Sequence, residues 1–395
     1  MSLGKLIENL AAFEPSGFPF ITIYLNAEAN EHGRDEYGPW LRNELTERAG
    51  EYDEESAEAQ SFNQDVERIL EFTEKQADAG ANGIAIFACA GADGFFETVQ
   101  LEVPFPNNRF FVFDRPHLFP LVRVVEQNPR YAAIWADTNK ADIYIFGGER
   151  SIDLETDTKA QVETVENEVT GRSKAGGWSQ GRFQRRIENF HMLHAKEVAE
   201  TIEPIMRNNK IEFLILCGDE TTIMPHLRPK LSKAVEESVI GTLSLSQYDS
   251  EDEIHEATLE LMREHQGKLD EAAIERAMGA AKAAAGLGTI GVEDTLAALS
   301  NGQVEELVIS ASFDDLEYSA KKVKKVLKAY APGDDKSGSD VLPDAKEPRQ
   351  IADELIIRAL NTAAKIRFVE ESDLLGEANG VASVLRYNMN QTANG

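Results

Sequence analysis

"RFQRRIENFHMLHAKEVAETIEPIMRNNKIEFLILCGD", residues 182–219, decides the fold. Phe183, Ile187, Phe190, His194, Val198, Ile202 and Ile205 recur every three or four positions, which makes one face of a long helix apolar. Residues 211–219 then form an apolar run, interrupted only by Glu212, that stops at Gly218-Asp219. A strand with one wet face alternates, whereas a strand covered by helices on both faces reads as a continuous apolar run. A long helix feeding such a strand predicts an α/β sheet.

The neighbouring sequence extends that sheet. "YAAIWADTNKADIYIFGGERSIDLETDT" (131–158) holds two apolar runs separated by Asp137-Thr138-Asn139-Lys140, and predicts a hairpin with a third strand after Gly147-Gly148. "VIGTLSLS" (239–246) adds a strand, and an acidic helical stretch runs from Glu251 to about Ala285. The middle domain is therefore bounded at residues 129–286. Before it, residues 1–128 open with a helix-like stretch. Buried strands follow at "GFPFITIYLN" (17–26) and "GIAIFACAG" (83–91), with a helical pattern over 40–76 between them. Shorter strands at "ETVQLEV" and "RFFVF" and a Pro-marked turn with a short helix at "DRPHLFPLVRVVEQN" complete this mixed-sheet N-terminal domain. After it, residues 287–395 alternate helix and strand: "GVEDTLAALSNG", "VEELVISA", the basic "YSAKKVKKVLKAYAP", a Gly/Pro/Asp/Ser loop, "PRQIADELIIRALNTAAKIRFVEE" and "GEANGVASVLRY". That order predicts a C-terminal α/β sandwich. The fold class is α/β, α+β in part, in three domains.

Composition excludes several classes. Of 395 residues, 42% are hydrophobic and 28% charged, the balance of a globular protein with a sizeable core. No apolar run approaches the roughly 20 residues of a membrane helix, and the first ten residues lack the apolar stretch of a signal peptide. Cys89 and Cys217 each sit within an apolar segment, which predicts buried thiols and rules out a disulfide scaffold. These features predict a cytoplasmic protein. The net charge of −29 repels phosphate overall, so nucleic-acid contact requires a local concentration of basic residues.

One segment has that concentration. Residues 151–170 hold six acids and one lysine, a local −5. Residues 171–190 hold Arg172, Lys174, Arg182, Arg185 and Arg186 against Glu188 alone, a local +4. Four glycines (Gly171, Gly176, Gly177 and Gly181) fall within the eleven residues 171–181 and let backbone approach a ligand closely. With almost no apolar anchor beyond Trp178, this stretch is expected to be mobile. It leads into a helix N-terminus, whose free N–H groups favour anions. An exposed loop with solvated arginines accounts for the same composition.

The stretch "KAGGWSQGRFQRR" (174–186) ahead of a long helix resembles the Gly-Gly-Gln segment of the archaeal and eukaryotic class I peptide chain release factors. The likeness continues in order along residues 80–395. "GIAIFACAG", "FFETVQLEVP" and "DRPHLFPLV" resemble the second half of that family's N-terminal domain, and "YAAIWADTNKADIYIF" the hairpin opening its middle domain. "GVEDTLAALSNGQVEELVIS" and "GVASVLRY" are similar to the entry and closing segments of its C-terminal domain, a sandwich resembling kink-turn-binding ribosomal proteins. Two departures are informative. Trp178 and Ser179 separate Gly177 from Gln180, giving Gly-Gly-x-x-Gln, a form resembling the bacterial branch. That branch is related to the ribosome quality-control release-factor-like proteins. The stop-codon-reading Asn-Ile-Lys-Ser and Tyr-x-Cys-x-x-x-Phe motifs are absent.

The resemblance implies a codon-independent peptidyl-tRNA hydrolase acting at the ribosomal peptidyl-transferase centre in the rescue of stalled ribosomes. Gly176, Gly177 and Gln180 would form the active loop. Arg172, Lys174, Trp178, Ser179, Arg182, Arg185 and Arg186 would contact RNA. The large ribosomal subunit and tRNA are the implied partners, with no membrane, no metal and no cofactor. Two rival readings are a non-catalytic ribosome- or tRNA-binding factor, favoured by the displaced Gln and the acidic charge, and a tRNA 3′-end nuclease.

Other candidates are weaker. His191 and His194 stand three apart but lack a third ligand at metal spacing, so both read as core or surface histidines. "KKVKKVLK" (321–328) suits either RNA contact or a solvated helix face with Val323, Val326 and Leu327 turned inward. "GLGTIG" (286–291) follows helix-like alanines rather than a strand, which argues against a dinucleotide loop.

Overall fold

The computed structural model describes residues 2–28, 37–147, 159–163, 178–246, 249–283, 286–330 and 347–388. In chain order the first elements are α1 (Leu3–Ala11), β1 (Phe20–Asn26), α2 (Tyr37–Ala49), α3 (Ala57–Lys75), β2 (Gly83–Cys89), β3 (Phe95–Leu101), β4 (Arg109–Phe113) and α4 (Phe119–Gln127). Then come β5 (Tyr131–Ala136), β6 (Lys140–Phe146), β7 (Lys159–Glu163), α5 (Trp178–Asn209), β8 (Phe213–Gly218), α6 (Met224–Leu227), α7 (Lys233–Glu237), β9 (Val239–Leu243) and α8 (Glu251–Lys282). The last are β10 (Gly288–Ile290), α9 (Val292–Ser300), β11 (Val304–Ser310), α10 (Ala320–Ala329), α11 (Pro348–Asn361), β12 (Lys365–Val369) and β13 (Val381–Leu385). The α/β class expected from sequence is observed, in three sheets.

Packing divides the chain into two compact units. One holds residues 1–128, 148–151 and 268–395, the other residues 129–147 and 152–267, with a boundary inside α8.

In the first unit, the N-terminal sheet has the order β3-β2-β1-β4 and is antiparallel throughout. Side chains alternate across it with period two. Ile21, Ile23, Leu25, Ile84 and Ile86 pack with Leu41, Leu45, Phe62, Ile69 and Phe72 of α2 and α3. Phe20, Tyr24, Ala85, Phe87 and Cys89 face the other way, into a core shared with α1, α4, α9 and α11. Both faces of β1 and β2 are covered, which explains why these strands read as unbroken apolar runs. The helical pattern over 40–76 resolves into two helices because Ser56 caps α3, its Oγ accepting the Ala59 N–H at 3.0 Å.

The second sheet of this unit has the order β10-β13-β11-β12, with β11 and β12 parallel. "GLGTIG" contributes its edge strand β10, paired antiparallel with β13. A buried polar junction ties the N- and C-terminal segments of the unit together. The Asp353 carboxylate of α11 accepts the N–H groups of Leu118 and Phe119, both at 2.9 Å, and so caps α4. Its other oxygen bonds His117 Nδ1. The backbone of His117 is fixed in turn by Tyr24, whose hydroxyl donates to its carbonyl, and by Thr22 Oγ1, which accepts its N–H at 3.2 Å.

In the second unit the order is β7-β6-β5-β8-β9, with β5, β8 and β9 mutually parallel and the β5–β6–β7 run antiparallel. The expected hairpin is present, closed by Asp137, whose Oδ1 accepts the N–H groups of Asn139 and Lys140 at 2.7 Å each. The third strand expected after Gly147-Gly148 falls on residues 148–158, which lie outside the described residues; the next described strand is β7, from Lys159. Ala132, Ile134, Ile143, Leu214 and Leu216 pack under α5, while Tyr131, Trp135, Tyr144, Ile215 and Cys217 pack with Ile254 and Met262 of α8. β8 is therefore buried on both faces, as its sequence requires. Cys89 and Cys217 are both buried and free, and burial raises the Cys217 thiol to about 12.

Candidate functional site

The candidate site begins where α5 leaves the sheet. Ala195, Val198, Ala199, Ile202 and Met206 are buried against the second unit's sheet, so the C-terminal half of the helix is anchored by apolar contact. His194 is the first fully buried residue of this anchor at 0% exposure. Its ring bonds the main-chain carbonyl of Lys140 at the hairpin turn, and burial pulls its pKa below the ordinary histidine value. The neutral ring is thus a fastener between α5 and the β5–β6 hairpin, in line with its reading as a core histidine. His191 lies beside His226, with ring centroids 5.8 Å apart. Among the described residues no group of three His, Cys, Asp or Glu side chains could hold a metal ion.

Toward the N-terminus the helix leaves the core. Met192 and Leu193 are 40% and 50% exposed, and Glu188 and Asn189 are exposed. From His194 back to Trp178 are sixteen residues, about 24 Å of helix at 1.5 Å per residue. The predicted site residues occupy the far end of that span or lie beyond it. Trp178, Ser179, Gln180, Arg182, Arg185 and Arg186 belong to the first turns of α5. Arg172, Lys174, Gly176 and Gly177 lie outside the described residues, as does the stretch predicted to be mobile up to Gly177.

The helix begins earlier than the glycine content of residues 171–181 predicts. Gln180 and Gly181 are helical rather than looped. Helix propagation explains this. Each residue added to a long formed helix gains one hydrogen bond, which offsets the cost of a single glycine at about 1 kcal/mol relative to alanine. The consequence for the candidate site is positional: α5 begins at Trp178, the residue that follows Gly176-Gly177 in the sequence. Positions 182, 185 and 186 share one stripe of the helical register.

The carboxyl ends of the parallel strands offer a different environment. Asp219 follows β8, accepting the Thr221 N–H at 2.6 Å, the Thr221 hydroxyl and the Thr222 N–H at 3.1 Å, bonds that hold its carboxyl below the usual range. Asp137 occupies the hairpin turn at the end of β5. Two carboxylates make this rim unfavourable for phosphate.

Sequence reasoning missed a charged network in the other unit. Arg367 on β12 lies 3.0 Å from Asp270, 3.5 Å from Glu126 and 4.0 Å from Glu306, and Arg276 closes on Glu306. Burial pushes Glu126 up to about 7, against the opposing effects of the Phe368 N–H and Arg367. Its members come from α4, α8, β11 and β12, so no local motif marks them.

Residues 116–263 match the family model described as Bacterial archaeo-eukaryotic release factor family 10. The chain is 21% identical to peptide chain release factor subunit 1 of Thermococcus kodakarensis, over 98% of this chain and 97% of that protein. To the protein of the same name from Methanopyrus kandleri it is 25% identical, over 79% of this chain and 74% of that one. Among solved structures, a model of ribosome-bound archaeal Pelota and ABCE1 is similar at 12% identity and a TM-score of 0.40, covering 98% of this chain and 95% of that chain.

Proposed function

Starting from its place in the archaeo-eukaryotic release-factor-like family, we propose that this chain is a ribosome-associated translation factor of the rescue type. Its finer activity in this reading is codon-independent hydrolysis of peptidyl-tRNA in the cytoplasm. The observation that carries the proposal is the Gly176-Gly177 pair immediately preceding α5, inside the family match and inside the local +4 segment of a −29 chain.

The chemistry follows from what that arrangement can supply. A water oxygen attacks the ester carbonyl carbon, the bond to the tRNA 3′ oxygen breaks, and that oxygen takes a proton from the attacking water. Two demands dominate: placing the water and stabilising the developing oxyanion. Backbone N–H groups in the first turn of a helix have no intrahelical partner, and a Gly-Gly pair ahead of it adds no side chain to clash with the oxyanion. Gln180 supplies an uncharged amide that orders the water. Arg172, Lys174, Arg182, Arg185 and Arg186 hold RNA phosphates, which positions the loop without reading sequence, and Trp178 stacks on a base. The missing codon-reading motifs support independence from a stop codon.

A second reading has a specific observation in its favour. Gln180 is two residues further from the Gly-Gly pair than in a Gly-Gly-Gln tripeptide, so the scaffold could bind ribosomes without hydrolysing the ester. Incubation of the full chain with ribosome-bound peptidyl-tRNA, with analysis of the tRNA 3′ end, separates the readings. Free peptide together with an intact tRNA 3′ end is expected. Peptide still carrying terminal nucleotides assigns a nuclease, and salt-sensitive binding with no release assigns a binding factor.

A further inference from the structure

The basic helix α10 has a surface that the proposed activity does not use. Val323 and Leu327 are buried, and the helix packs on α9 through them. Lys321, Lys322, Lys324, Lys325 and Lys328 are all exposed. Lys321, Lys324, Lys325 and Lys328 stand at i, i+3, i+4 and i+7, one stripe opposite the buried pair. Like charges at these spacings repel, so the stripe is a cost to the isolated helix. The chain carries 69 acidic residues, yet among the described residues no carboxylate lies within ion-pair distance of Lys321, Lys322, Lys325 or Lys328.

Two aromatic rings adjoin the end of this stripe. Tyr330 follows α10 directly, and its hydroxyl accepts a bond from Asn301 Nδ2 at 3.1 Å. The Tyr387 hydroxyl donates to the Asn301 carbonyl at 3.2 Å. Both hydroxyls are therefore tied to one residue, while the side chains remain 39% and 43% exposed. Arg386 is not part of the surface, because its guanidinium is committed to the carbonyls of Thr362 and Ala363.

We propose that the lysine stripe of α10, together with Tyr330 and Tyr387, is an RNA-binding surface that takes single-stranded RNA, with phosphates on the lysines and a base against the tyrosines. Charge complementarity calls for a polyanion, since repeated phosphates match Lys321, Lys325 and Lys328 on one stripe and release counterions when bound. Tethered, half-exposed rings provide stacking platforms that a merely acidic partner does not need. A lipid surface is disfavoured because the apolar side of α10 is buried against the protein and has nothing to insert. This surface lies in a different packing unit from α5 and does not depend on the Gly-Gly loop.

The test uses the full chain carrying Arg182→Ala, Arg185→Ala and Arg186→Ala, so that contacts from α5 are removed. The probe is a labelled single-stranded RNA of about 12 nucleotides, within the 4–16 typical of such sites, titrated across a salt series. Adding Lys321→Ala, Lys325→Ala and Lys328→Ala is expected to weaken binding at least tenfold and to flatten the salt slope by about 2, at 0.7 per phosphate contact. Tyr330→Ala and Tyr387→Ala are expected to weaken it severalfold with the slope unchanged, and Tyr387→Phe, which keeps the ring, to preserve it. Unchanged binding in the triple lysine variant overturns the proposal. So does poly-glutamate competing as well as RNA, which reassigns the surface to an acidic protein. Tyrosine variants without effect overturn the stacking part.

Discussion

Asp353 serves three partners at once: the N–H groups of Leu118 and Phe119 and the His117 ring. At 5% exposure, water cannot replace it. Asp353→Ala leaves all three unsatisfied, and a loss of about 2–5 kcal/mol is expected, read as a lower denaturant midpoint. Asp353→Asn keeps an oxygen for the α4 cap and should lose less. Glu126 gives a pH-dependent counterpart. Its folded pKa of about 7 lies above the roughly 4.3 of an unfolded glutamate, so the folded state holds the proton more tightly. The stability linked to that proton is complete below about pH 4 and is lost as pH rises through 7. Glu126→Gln retains an acceptor for the Phe368 N–H and carries no charge. Relative to the parent chain it should gain on the order of 1–3 kcal/mol between pH 4 and pH 8, measured as thermal midpoints across that range. An equal difference at both ends would refute the assignment. Neither group was legible in the sequence. His117 and Asp353 are 236 residues apart, and nothing local to either position announces the other.

At the scale of elements, local pattern was a reliable guide wherever an element is buried on both faces. β1, β2, β5 and β8 all read as continuous apolar runs because helices or other core cover each side. Pattern failed where composition and context disagree. The glycines of residues 171–181 predict a loop up to Gly181, but α5 extends back to Trp178 because a formed helix propagates through one glycine. β10 was hidden for the opposite reason: three residues carry too little periodicity, and only pairing with β13 makes them a strand. The α5 start is testable. Gly181→Ala should stabilise the chain by up to about 1 kcal/mol and increase helical signal in circular dichroism. A destabilisation would mean that Gly181 sits in a conformation alanine cannot adopt.

For the whole molecule, the −29 charge frames every functional statement. Long-range repulsion from RNA opposes association, so binding must be won by short-range contacts at local basic segments, and salt has to reveal them. Ribosome binding is expected to weaken steeply with ionic strength. Arg182→Ala, Arg185→Ala and Arg186→Ala together should flatten the log–log slope by roughly 2–3 if each arginine neutralises one phosphate. An unchanged slope would remove these residues from the interface. The sequence made this segment visible through its change of sign, because charge clustering survives without knowledge of the fold. The gathering of the N- and C-terminal segments into one packing unit was not visible, since it depends on contacts between residues hundreds of positions apart.

The most direct test of the central proposal is the single-turnover rate of peptide release from ribosome-bound peptidyl-tRNA at saturating protein, for the parent chain and Gln180→Ala. The proposal predicts that Gln180→Ala slows release by about 100-fold, in the range of losing one positioned polar group, while ribosome binding is unchanged. Equal rates for the two proteins would contradict a catalytic role for the Gly-Gly-x-x-Gln segment.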